Sequence, residues 1–114
     1  MKRLGHMENT SEYYSALTQC AERYSTMLWN YRDECNYWGW SQKPRREEVL
    51  TLAKFIITFN VGCIHKLPLM KMNRWLGYIQ GQLISWGLTT VEDERNWTRP
   101  LFRHLDYGDE DEEI

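Results

Sequence analysis

The sequence predicts an all-α protein, an antiparallel bundle of about four helices with the last kinked at Pro100. Apolar residues recur at alternating steps of three and four through most of residues 9–107, and no stretch shows the strict alternation of a half-buried strand. Helix start and stop residues punctuate that pattern. The chain of 114 residues has no internal repeat and is long enough for one core without metal or disulfide staples. Residues 1–8 are expected to fray, residues 9–107 to form a single domain, and residues 108–114 to be a disordered acidic tail.

The first helix is placed at about Ser11 to Cys35. Asn9 is its candidate N-cap, with Glu12 three residues later, as a capping box requires. Tyr13, Leu17, Cys20, Tyr24, Met27 or Leu28, Tyr31 and Cys35 fall on one face. Asn36-Tyr37-Trp38-Gly39-Trp40-Ser41 breaks the period and reads as a loop. Pro44 suits the first turn of a second helix. Val49, Leu52, Ala53, Ile56, Phe59 or Asn60, and Cys63 supply its buried stripe. Phe55, Ile57 and Ile64 widen that stripe, which marks this helix as the central one. His65-Lys66-Leu67-Pro68 ends it, because proline disfavours helical geometry in the residue before it.

The third helix covers about Leu69 to Trp86, with Met72, Trp75, Leu76, Ile79, Leu83 and Trp86 as its apolar stripe and Gly87 as its C-terminal cap. Thr89 is the candidate N-cap of the fourth, with Glu92 three residues on. Val91, Thr98, Phe102 and Leu105 keep a helical period through Pro100, which must kink the helix or split it.

The formal net charge of −2 disfavours a general nucleic-acid coat. The acidic run Asp109–Glu113 hides a mildly basic body, in which 14 Lys and Arg face 11 Asp and Glu. Three widely spaced cysteines, Cys20, Cys35 and Cys63, suggest neither a disulfide framework nor a zinc site and fit a reducing cytoplasm. The most apolar run, residues 55–64, is too short to span a bilayer, so no membrane partner is expected. Six Trp and seven Tyr are more than one small core easily holds, so some are expected at an interface or ligand site.

Three surfaces are candidate sites. The first is the loop Trp38, Trp40, Lys43, Arg45 and Arg46, where indoles and cations suit a protein partner or stacked bases, or simply cap the bundle's open end. The second is an anion or ligand site. His65, Lys66, Lys71 and Arg74 cluster at the start of the third helix, whose N-terminus adds unpaired N–H groups. Arg95, Arg99 and Arg103 form a basic stripe on the fourth helix. Both groups also read as solvated, salt-bridged surface. The third is the row Asn73, Gly77, Gly81 and Ser85, spaced four apart. Each interior glycine costs roughly 1 kcal/mol relative to alanine, so the row is expected to be a close helix contact, inside the subunit or across a homodimer.

No catalytic constellation is visible. Cys63 and His65 lack a third orienting group, and no Glu-x-x-His pair of the di-metal type occurs. Neither catalysis, nor a metal, nor a cofactor is expected.

Residues 65–103, and within them NRWLGYIQG and ERNWTRPLFR, resemble small accessory proteins of tailed bacteriophages. The resemblance covers neither the first helix nor the WGW loop and carries over no site residue. It implies a phage origin, action in the cytoplasm of the bacterial host, and a role in binding and blocking a host enzyme or defence system. The leading expectation is therefore a non-catalytic protein that inhibits or redirects a host protein. A protein sequestering a nucleotide-like signal, with Trp75 or Trp97 stacking on the base, is the alternative. A nucleic-acid-binding regulator is the less favoured third.

Overall fold

The computed structural model of the chain describes residues 10–38 and 44–107, with side chains for 10–31 and 44–105. Helix α1 spans Thr10–Trp38, α2 Arg46–Ile64, α3 Leu69–Ser85 and α4 Val91–Tyr107. The fold is an all-α antiparallel bundle. Helix α1 packs on α2, α3 and α4, and α2 also packs on α3. The order of contacts fixes direction. Tyr14 and Tyr24 of α1 reach Leu67 and Gln80, whereas Tyr13 and Arg23 reach Phe102 and Glu94. Helix α3 thus runs with α1, and α4 runs against it.

The core is built from the periodic residues. Tyr13, Leu17, Cys20, Tyr24, Leu28 and Tyr31 of α1 are buried against Val49, Leu52, Ile56, Phe59 and Cys63 of α2. Met72, Leu76, Ile79 and Leu83 of α3 and Leu105 of α4 complete it. Four of the tyrosines are therefore interior, and the aromatic surplus is smaller at the surface than the composition suggests. Trp75, Trp86 and Trp97 are half-buried at the margins of the core.

Several local expectations change. Helix α1 continues through Asn36, Tyr37 and Trp38, so Trp38 ends a helix instead of opening a loop. Asn9, Trp40 and Lys43 lie outside the described residues, as do the side chains of Cys35 and Trp38. Pro44 stands before α2, and Arg45 is its N-cap, its backbone N–H donating to the Glu48 carboxylate at 3.1 Å. The cap of α4 is Thr90, whose Oγ1 accepts the Asp93 N–H at 3.0 Å, one residue later than expected. Helix α4 runs unbroken through Pro100. Pro100 and Asn96 are both exposed, so the carbonyl that the proline leaves without an N–H partner lies on the solvent side of the helix.

Both α2 and α3 end in a Schellman turn. After α3, Leu88 N–H donates to Leu83 O and Gly87 N–H to Ile84 O, both at 3.0 Å, with Gly87 at φ 77°. After α2, Leu67 N–H donates to Gly62 O at 3.0 Å and Lys66 N–H to Cys63 O at 3.2 Å, with Lys66 at φ 55°. A lysine thus holds the left-handed position that favours glycine. The Tyr14 hydroxyl donates to the Leu67 carbonyl and pins this turn to α1.

The apolar stripe of α2 is narrower than its sequence suggests. Ile57 and Ile64, expected to widen the buried face, are exposed, as is Val91 of α4. Among the described residues no helix is long and apolar enough to cross a membrane.

Candidate functional site

Because α3 runs back along α2, the first turns of α2 face the last turns of α3. Phe55 fills the middle of that interface, meeting the Trp75 and Tyr78 rings edge-on at 5.4 and 5.0 Å. Beyond Phe55, Thr51 of α2 and Gln82 of α3 border the space between the two helices. A groove of about 300 Å³ remains, lined by Arg45, Glu47, Glu48, Thr51, Leu52, Tyr78, Gln82 and Trp86.

The groove has apolar walls and a polar rim. Tyr78 and Trp86 present aromatic surface, Gln82 an amide, and Glu47 a carboxylate. Thr51 is turned back on its own helix, donating to the Glu47 carbonyl at 2.8 Å. Arg45 Nε lies 3.3 Å from Glu48 Oε1 in an exposed pair at the rim. The Arg45 backbone N–H and side chain keep the Glu48 carboxyl below its ordinary value. Of the five residues expected at a partner surface, Arg45 lines this groove and Arg46 opens α2, exposed. Sequence periodicity singled out neither Tyr78 nor Gln82, because both lie off the apolar stripe of α3.

The residues expected to bind an anion lie just after α2, in the first turns of α3 and on α4. His65 and Lys66 close α2 and are exposed; Arg74 is exposed on α3. Lys71 Nζ sits 5.7 Å from the Trp75 ring, an intrahelical cation–π contact. Trp97 is covered by the Arg23 guanidinium at 4.7 Å, so both tryptophans expected to stack on a base already have protein partners. Arg95 and Arg99 lie along the outer side of α4, both exposed.

The glycine row makes no close contact with the described residues of the subunit. Asn73, Gly77, Gly81 and Ser85 are all exposed, and a Cβ at Gly77 or Gly81 would meet nothing within 4 Å. The row occupies the side of α3 opposite Met72, Leu76, Ile79 and Leu83. The glycine that does serve close packing is buried Gly62 of α2, where a Cβ would lie 3.0 Å from Leu67 Cδ1 and from Met72 Sδ and Cε.

Sequence reading missed one polar cluster altogether. Glu94 of α4 is 4% exposed and accepts four hydrogen bonds. Arg23 gives two, Nη2 to Oε2 at 2.8 Å and Nε to Oε1 at 3.4 Å; Thr89 gives one to Oε2 at 2.5 Å, and Tyr24 gives one to Oε1. Gln80 Nε2 in turn donates to the Tyr24 hydroxyl at 2.9 Å. Burial acts to raise the Glu94 carboxyl, but the bonds from Arg23, Thr89 and Tyr24 and the guanidinium charge outweigh it and hold it below the usual range. Burial and the Glu94 bond push the Tyr24 phenol up. Glu94 has no acceptor site left for a ligand and no proton to give. The cluster is a clasp joining α1, α3 and α4. It borders a wider, shallow depression lined by Gln19, Glu22, Arg23, Thr26, Met27, Asn30 and Trp97.

The buried thiols are poorly suited to nucleophilic chemistry. Burial pushes Cys20 up to about 12 and raises Cys63, while His65 is exposed two residues away. Among the described residues no group of three His, Cys, Asp or Glu is placed to hold a metal ion. Comparison of the chain with protein-family models, with curated proteins and with solved structures finds no match.

Proposed function

We propose that this chain is a non-catalytic binding protein of phage type that docks on a bacterial host protein and blocks or redirects it. The observation that carries the reading is the groove between the start of α2 and the end of α3. Its lining combines Tyr78, Trp86 and Arg45, the residue types that dominate interface hot spots, around a cleft that one inserted side chain would fill. Arg46, exposed beside Arg45, is a further contact; Trp38, Trp40 and Lys43 are expected contacts read from the sequence alone. The mechanism is steric: the groove anchors the partner, and the helical body covers a working surface of it.

Native mass spectrometry of the protein recovered from bacterial lysate tests the reading. A bacterial protein retained by the wild type and lost by the Tyr78→Ala/Trp86→Ala double variant is the expected result. Retention unchanged in the double variant overturns the groove as the docking site. A chain carrying no protein, but an added mass of nucleotide size, overturns the function in favour of ligand sequestration.

A further inference from the structure

The groove between α2 and α3 has two unlike ends. Phe55 of α2 borders one of them, its ring 5.0 Å from that of Tyr78. The two helices run antiparallel, so each step back along α2 from Phe55 is matched by a step forward along α3. Leu52 and Tyr78 therefore line the end beside Phe55, Glu47, Glu48 and Trp86 line the other, and Gln82 stands between. Tyr78 and Trp86 are about 12 Å apart at 1.5 Å per residue, which leaves room for one long side chain laid lengthwise. Such a side chain would pass from an apolar end to an end of carboxylates and an indole.

The charge of the lining is negative. Arg45, Glu47 and Glu48 are its charged residues, and Arg45 and Glu48 pair with each other at 3.3 Å. That leaves the exposed Glu47 carboxylate, which forms no ion pair with a described residue. The helix ends have the same sense. Glu47 and Glu48 already answer the positive first turn of α2, whereas the last turn of α3 carries no basic residue to answer its negative end. Two more cations are near, and neither lines the groove. Arg46 lies about 100° or more round α2 from Glu47, Glu48, Thr51 and Leu52. Arg74 lies one turn before Tyr78, past the apolar end. Lys43 lies outside the described residues.

We infer that the anchor this groove receives is a basic side chain of the partner protein, an arginine or a lysine, its methylene stem laid along Leu52 and Tyr78 and its cation set between the Trp86 ring and the Glu47 carboxylate. The inference rests on the reading of the groove as the docking site and adds the chemistry of what docks there. Arginine and lysine cover apolar surface with their stems and keep the charged head near water, which is the order of surfaces along this groove. An indole face attracts a cation, and a carboxylate beside it completes the site. An aliphatic or aromatic anchor would fill the Leu52–Tyr78 end and cover Glu47 without pairing it. An acidic anchor would set its charge against Glu47, with the one guanidinium of the lining already engaged by Glu48.

Titration of the full chain with three blocked amino acids tests the anchor, read by NMR at the Trp86 indole N–H and the Gln82 side-chain amide. The probes are the N-acetyl amides of arginine, of citrulline and of leucine, each taken to about 50 mM to cover millimolar binding. Citrulline keeps the stem and planar head of arginine without its charge. The arginine probe is expected to shift both signals saturably, and the citrulline and leucine probes to bind at least about fivefold more weakly, the upper range for one exposed ion pair. Glu47→Gln, an exposed change that should leave the melting temperature where it is, should bring the arginine probe down to the level of citrulline. A citrulline or leucine probe that binds as tightly as arginine, an arginine probe that shifts neither signal, or an affinity unchanged by Glu47→Gln overturns the basic anchor. Those results leave the groove itself standing as the docking site, because that reading falls only if the Tyr78→Ala/Trp86→Ala variant still retains the bacterial protein.

Discussion

The Arg23 guanidinium grips the Glu94 carboxylate at both oxygens, Nη2 to Oε2 at 2.8 Å and Nε to Oε1 at 3.4 Å, across 71 positions of sequence. The carboxylate is almost wholly buried and the guanidinium is 25% exposed, so the charge pair plugs the seam between α1 and α4. Removing the carboxylate leaves Arg23, Tyr24 and Thr89 without their acceptor. Glu94→Ala should therefore cost about 3 kcal/mol in urea unfolding, the range for breaking a buried pair from one side. Arg23→Ala should cost less, since Tyr24 and Thr89 still serve Glu94. The double variant should cost clearly less than the sum of the two, because the sites share one contact.

Acid should weaken the protein through the same carboxyl. Its pKa is lowered on folding, from an unfolded value of about 4.3. Between the two values the unfolded chain binds the extra proton. The contribution of Glu94 is thus complete above about pH 4.5 and is lost as the pH falls through the folded value. Thermal melts of the wild type should fall steeply below that point. Glu94→Gln should melt lower at neutral pH and lose part of the acid slope.

The exposed glycines of α3 should be improvable. A methyl group at Gly77 or Gly81 meets no atom of the described residues within 4 Å, and both lie inside a helix. Gly77→Ala and Gly81→Ala should each raise unfolding stability by about 1 kcal/mol, the propensity difference alone. A loss of stability in dilute solution would show that the row packs on something after all.

The two Schellman turns predict effects of opposite sign. Lys66 at φ 55° carries the left-handed strain of a side chain, so Lys66→Gly should stabilise by about 1 kcal/mol. Gly87 at φ 77° already avoids it, so Gly87→Ala should destabilise by about 1 to 2 kcal/mol. Chemical unfolding of the two variants beside the wild type reads both.

Helix existence and most of the core were legible because period and punctuation are local. The line from Tyr13 to Tyr31 and the line from Met72 to Leu83 are buried as their spacing requires. Gly87 caps α3 because only the residue past the last turn needs a positive φ. What periodicity cannot report is which side of a helix finds a neighbour. Ile57 and Ile64 look like core from their composition, yet among the described residues no helix lies over them. Gly77 and Gly81 look like a contact, yet they face away from the bundle. The tertiary structure alone decided these, and it alone joined Arg23 to Glu94 and set Tyr78 and Trp86 around one groove with Arg45. A sequence fixes the pattern of each helix through bonds that span four residues. The pairing of faces depends on how the helices rotate and pack on one another, and that is settled only when all four compete for the same buried volume.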